Sequence, residues 1–142
     1  MINATLAGGV AIGASSGLVA NLGVSLTIGL LAGFISNLSY VKLTEKVEHG
    51  CLGIHDTCGV NNLHGIPGLF GGFVSAVVVA SYQSYPGFDP DYSPLMQVVA
   101  EGRSFSGQAG IQVAATFMSM GIGIIFGLLA GAVIYRFYHY DT

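Results

Sequence analysis

Acidic and basic side chains are missing from three long stretches of the chain, residues 1–41, 57–88 and 104–135, and gather in the segments between them. Each stretch exceeds the ~20 apolar residues that a helix needs to cross a bilayer. A turn around residues 18–23 divides the first stretch. The pattern therefore predicts four helices, at about 4–18, 23–47, 57–80 and 107–138, and one long polar loop at 81–106. The fold class it implies is all-α, a multi-pass transmembrane bundle, because a chain in hydrocarbon must satisfy its backbone internally.

The four predicted helices differ in character. Residues 4–18 are apolar but small, and Gly9, Gly13 and Gly17 recur every four residues. That face lets a neighbouring helix come close, which places this helix inside the bundle. In the second helix Ile28, Leu30, Leu31, Phe34 and Ile35 suit lipid, while Gly29 and Gly33 offer a packing face. Its end carries Lys42, Glu45, Lys46, Glu48 and His49, read as a solvated helix terminus. Asp56 is placed to cap the third helix and to sit at the positive end of its dipole. Pro67 removes one backbone donor inside that helix, a defect that membranes tolerate when a neighbour repairs it. The fourth helix ends in Tyr135, Arg136, Phe137 and Tyr138, the pattern of an interfacial aromatic belt.

Composition sharpens this picture. Only 8% of residues are charged and 52% are hydrophobic, against ~25% charged in an ordinary soluble domain. The net charge of −3 gives no reason to expect a nucleic-acid partner. Lys42, Lys46 and Arg136 fall on one side of a four-helix path and Arg103 on the other. The positive-inside rule then puts the 48–56 loop and the C-terminus in the cytosol and the 81–106 loop outside. Cys51 and Cys58 are too few for a disulfide framework, and on the cytosolic side their thiols stay reduced. No glycine loop follows a strand, no activated nucleophile is in view, and His49, His55, Cys51, Cys58 and Asp56 lack the spacing of a metal site. Neither an enzyme, a cofactor nor a metal is expected.

One ionisable residue lies inside a charge-free stretch at membrane depth. His64 is seven residues past Thr57, ~10 Å along a helix and about a third of the way into a ~30 Å hydrocarbon core. Such a residue faces a bundle interior or a wet cavity and marks a candidate functional site. The plainer reading is a histidine bonded to a neighbouring helix for packing alone. The functional reading is a pore or relay histidine, because a neutral imidazole both donates and accepts a hydrogen bond. Asp56, eight residues earlier, would then lie a little over two turns below it on the same side of the helix.

The segment around His64 reads Asp56-Thr57-Cys58-Gly59-Val60-Asn61-Asn62-Leu63-His64-Gly65-Ile66-Pro67-Gly68. It resembles the signature of the second pore-histidine helix in the Rh-type (Rhesus) ammonia channels of the ammonium transporter family. Asn3-Ala4-Thr5-Leu6-Ala7-Gly8-Gly9-Val10, and Gly102-Arg103-Ser104 with Gly107-Gln108-Ala109-Gly110, extend the resemblance over nearly the whole chain. It implies the last part of an eleven- or twelve-helix fold, beginning after the first pore histidine. His64 would be one of a hydrogen-bonded pair in a narrow hydrophobic pore, Val60 an apolar pore-wall residue one turn earlier, and Asp56 a vestibule or structural residue. The resemblance also implies a multi-pass plasma-membrane protein, ammonia or ammonium as permeant with carbon dioxide left open beside it, and a homotrimer for the full-length protein. The partner histidine, the phenylalanine gate and the external ammonium site belong to helices with no counterpart in these 142 residues.

Two functions follow as expectations. In the first the chain is an incomplete C-terminal fragment of an ammonia channel. In the second it is a truncated, non-conducting product that acts as a structural or interfering partner of a full-length channel. A small dimeric four-helix transporter is a third, remote reading, since it would call for a carboxylate within a span and none lies there.

Overall fold

A computed structural model describes residues 2–19, 21–48, 50, 55–81 and 102–138. All regular structure among them is helical: α1 (Ile2–Gly13), α2 (Leu22–Lys42), the short α3 (Thr44–Glu48), α4 (Ile66–Ser81) and α5 (Phe105–Tyr138). A π-helical turn, Asn61–Gly65, runs directly into α4. Leu22–Lys42, Asn61–Ser81 and Phe105–Tyr138 are each long and apolar enough to cross a membrane. This is an all-α membrane helix bundle. The polar loop expected at 81–106 lies largely outside the described residues.

The helix boundaries depart from the sequence pattern at three places. The first helix was expected to reach residue 18 but ends at Gly13. Residues 14–18 form turns, in which Ser15 N donates to Ile12 O and Leu18 N to Ser15 O, both at 2.9 Å. The Ser15 and Ser16 hydroxyls also bond back to the Ile12 and Gly13 carbonyls. Serine hydroxyls compete in this way with the helical ladder. The 12 residues of α1 rise only ~18 Å, short of a ~30 Å core. Among the described residues, three helices of spanning length therefore stand where four were expected. The second helix breaks at Leu43 into α2 and α3. The third begins about four residues later than Thr57, for reasons given below.

Each start has a local cause. Asn21 caps α2, its Oδ1 accepting from Gly23 N at 2.8 Å and Val24 N at 3.3 Å, which satisfies two of the amides a helix leaves free at its first turn. At the start of α5 the Ser104 hydroxyl accepts from Gly107 N at 3.0 Å.

Small side chains set the packing. α1 contacts both α2 and α4, and α5 contacts α4. The buried face of α1 is Ala7 and Ala11, four residues apart, as one helix face requires, and Ser15 in the turn that follows is buried as well. Gly9, Gly13 and Gly17 face open space instead, which corrects the expected packing face. Alanine and serine supply the smallness, with Gly8 close against the Gly29 backbone. On α2 the expected glycine face is in use: a Cβ on Gly33 would lie 3.3 Å from that of Ala4. On α4 a Cβ at Gly71 would strike the Ala11 backbone, and one at Gly72 the Thr116 side chain. Ala11, Ile28 and Ala32 form the buried apolar centre, with Phe70 and Val74 of α4 packed against it. No residue of α5 is buried, although Phe73 and Phe117 meet edge to face with ring centroids 5.7 Å apart.

Candidate functional site

The entrance to α4 is built from Asp56 onward. Thr57 and Cys58 form a turn rather than the first helical residues, and Gly59 takes φ +65°. That left-handed conformation suits glycine. A Cβ there would also collide with the Tyr40 ring, whose hydroxyl donates to Gly59 O at 3.3 Å. Asp56 folds back over the turn. Its Oδ1 accepts from Val60 N at 2.7 Å and its Oδ2 from Asn61 N at 2.8 Å. Asp56 is thus a cap that satisfies two free amides and places negative charge at the positive helix end. It is not two helical turns below His64, as an uninterrupted helix from Thr57 would require, because the chain between them is a turn followed by a π-helical segment.

The π register comes from Ile66, whose N–H bonds to Asn61 O, five residues back. In that register the Asn62 carbonyl would take its bond from residue 67, which is proline and has no N–H. The missing donor comes from another helix: the Ser36 hydroxyl of α2 donates to Asn62 O at 2.9 Å. This is the repair that Pro67 calls for. The Asn62 side chain is held as firmly. Ser39 Oγ donates to its Oδ1, and its Nδ2 donates to Thr44 Oγ1 at 2.9 Å. Asn62 and Ser36 are each 1% exposed. Every side-chain oxygen and nitrogen of Asn62, and its carbonyl, is therefore bonded to a hydroxyl of α2 or α3. Buried polar groups bonded this fully fix one geometry, since any unmade bond is costly in a dry interior.

His64 follows two residues later, about half a helical turn round. With Asn62 turned into the bundle, His64 is turned out, and it is exposed. Val60 is likewise exposed. Beside them Asn61, Gly65, Ile66, Gly68 and Leu69 line an open crevice of about 500 Å³ against Thr116, Ser119, Met120 and Ile124 of α5. His64 is not among its lining residues. Of the other residues weighed for chemistry, Cys58 is a free, exposed thiol, while His49 and Cys51 lie outside the described residues.

The clamp residues Asn62, Ser36, Ser39 and Thr44 escaped the sequence reading. Their signal was faint but present. Ser36 and Ser39 are polar positions three apart in an apolar span, so they share a face, and Asn62 is a second amide next to the histidine. What the sequence lacks is the register that brings them together.

Comparison with known proteins bears on this geometry. Residues 1–139 match the family model described as the Ammonium Transporter Family. The chain is 38% identical over 133 residues to ammonium transporter Rh type B of Oryzias latipes, covering 93% of this chain and 28% of that protein. It is 40% identical over 132 residues to Rh type A of Mus musculus, covering 93% of this chain and 25% of that protein. Over 79 residues, 56% of this chain and 16% of the relative, it is 53% identical to Rh type C of Homo sapiens. The chain thus spans about a quarter of the length of the first two relatives. With the family model matched over nearly its whole length, the chain belongs to the ammonium transporter family, with relatives of the Rh type.

Proposed function

We propose that this chain forms one wall of a membrane pore that conducts ammonia, with His64 lining the path. The observation that carries the reading is an exposed histidine on a π-helical turn that opens a membrane-length helix. An ionisable side chain there is costly unless protein or water covers it, and π-helical turns concentrate at functional sites. A neutral imidazole offers an acceptor and a donor to a small polar molecule. Ammonia, with donors and a lone pair, is matched by such a ring without any charge crossing the membrane. Val60 adds apolar wall before His64, and Asp56 holds the cytosolic entrance in shape. The names of the relatives, all ammonium transporters of the Rh type, agree with this substrate.

In this reading the facing wall comes from helices beyond these 142 residues, so that the chain is the C-terminal part of a pore-forming protein. The assembled protein is a plasma-membrane homotrimer with the 48–56 loop and the C-terminus in the cytosol. A second reading is favoured by α5, which buries none of its residues: made alone, the chain conducts nothing and acts as a structural or interfering partner of a complete channel.

The test is the ammonia-driven rise of internal pH in vesicles. The 142-residue chain is compared with a version extended through any upstream coding sequence, and with empty vesicles. Alkalinisation faster than in empty vesicles, in either form, supports the pore. Alkalinisation by the extended form alone also supports the partner reading for the short chain. Rates equal to those of empty vesicles in both forms contradict the pore reading.

A further inference from the structure

We infer that Asn62 is a positioning residue for His64, acting through the hydroxyl clamp of α2 and α3; the inference rests on the pore reading above. Three features converge on it. The π register moves the carbonyl left unpaired by Pro67 onto Asn62, and Ser36 Oγ bonds to it at 2.9 Å. The Asn62 side chain is closed by Ser39 and Thr44. Three of the four residues are buried, with Asn62 and Ser36 at 1% and Ser39 at 7% exposure, and Thr44 is half-buried.

A clamp of this kind does more than join two helices. A π turn changes the direction of the side chains within and after it, and His64 lies within it. An ordinary α-helical turn would unpair the carbonyl of Leu63 instead of that of Asn62, because residue 67 would then look back four residues rather than five. The Ser36 hydroxyl therefore selects the π form by bonding to the carbonyl that is orphaned only in that form. Asn62 and His64 lie on opposite sides of the turn, so fixing the first toward α2 fixes the second away from it. Hydrogen bonding across helices thereby sets the direction of the ring that meets the permeant.

Threonine and valine at position 36 separate the hydroxyl from its bulk, since they share a shape and differ in the O–H. The experiment uses the protein as natively expressed, in vesicles, with Ser36→Thr and Ser36→Val. Ammonia conductance is read in each. In a parallel set His64→Cys is combined with Cys51→Ser and Cys58→Ser, and the rate of labelling by a charged thiol reagent is measured. The clamp predicts that Ser36→Thr keeps both values near those of the parent. Ser36→Val is expected to shift the labelling rate at position 64 and to lower conductance, each by about tenfold, the effect of ~1.4 kcal/mol on a barrier. Equal labelling rates in the Thr and Val variants overturn the clamp, whatever the conductance. If Thr and Val behave alike while His64→Ala still alters conductance, the pore reading stands and the positioning role falls. If no form conducts, the pore reading falls, and with it the role assigned to Asn62.

Discussion

The junction between α2 and the start of α4, and the helix α5, lie in one bundle and are built on opposite plans. At the junction the polar atoms of Asn62 are buried and bonded to three hydroxyls. α5, 34 residues long, presents large apolar side chains such as Phe126, Leu128 and Ile134, and none of its residues is buried. The difference separates two tasks. Apolar area exposed along a membrane helix needs only lipid or another helix against it, and it tolerates many partners. Buried hydrogen bonds are directional and tolerate one arrangement. The part of the molecule that must hold a side chain in place is therefore polar, and the part that must merely sit in a membrane is not. At 34 residues, α5 would rise ~51 Å, well beyond a ~30 Å core, with the exposed Tyr135, Phe137 and Tyr138 at its far end.

Four substitutions probe this contrast, each read by thermal unfolding in detergent. The largest effect is expected at Gly71, where any side chain meets the Ala11 backbone. Gly71→Leu should cost about 3 kcal/mol, at the upper end of overpacking penalties, because backbone cannot move aside cheaply. An unchanged midpoint would mean that α1 does not cross α4 there. Ser36→Ala removes the donor to Asn62 O and should cost about 1–2 kcal/mol, the upper range for interhelical hydrogen bonds in membranes. A neutral result would show that the π turn satisfies its own carbonyl. Phe117→Leu dissolves the edge-to-face pair with Phe73 and should cost about 1 kcal/mol. A loss much smaller than that would detach α5 from α4 as an energetic unit.

The smallest effect is expected on α5 itself. A Cβ at Gly127 meets nothing within 4 Å, and alanine is a better helix former by up to about 1 kcal/mol. Gly127→Ala should therefore be neutral or mildly stabilising in the 142-residue chain. The same substitution in a longer form of the protein sharpens the comparison. If it becomes destabilising there, another helix covers this face, and α5 is an interface rather than a lipid-facing surface.

How much of this was legible in the sequence follows from the same contrast. The charge-free stretches located α2, α4 and α5, because hydrocarbon punishes charge whatever the tertiary structure. Asp56 was readable as a cap and Pro67 as a defect, since both are local statements about backbone donors. The end of α1 at Gly13 was not, for an almost uniformly apolar sequence carries no periodic signal of where a helix stops; nor was the break at Leu43, which the run of charges from Lys42 to Glu48 does not mark. The face of α1 was misplaced for a related reason. Gly9 and Gly13 are the smallest residues of the helix, but Ala7 and Ala11 are small enough, and the positions of α2 and α4 decided between the two faces. The late start of the π turn and the partner of Asn62 O depend on Ser36, 26 residues away in the chain. No local pattern encodes a contact of that separation. His64 was visible as an ionisable residue inside a charge-free stretch, though the start at Asn61 places it in the first turn of the span rather than a third of the way in; the hydrogen bonds of Asn62 beside it were not visible.

The most direct test of the account compares wild-type protein with His64→Ala at equal abundance in vesicles, natively expressed, by ammonia-driven change of internal pH. If His64 hydrogen-bonds the permeant at the barrier, loss of a bond worth ~1.4 kcal/mol slows conductance about tenfold. Passive proton leak and vesicle size stay the same. Equal ammonia conductance in the two proteins would contradict the claim that His64 lines the path.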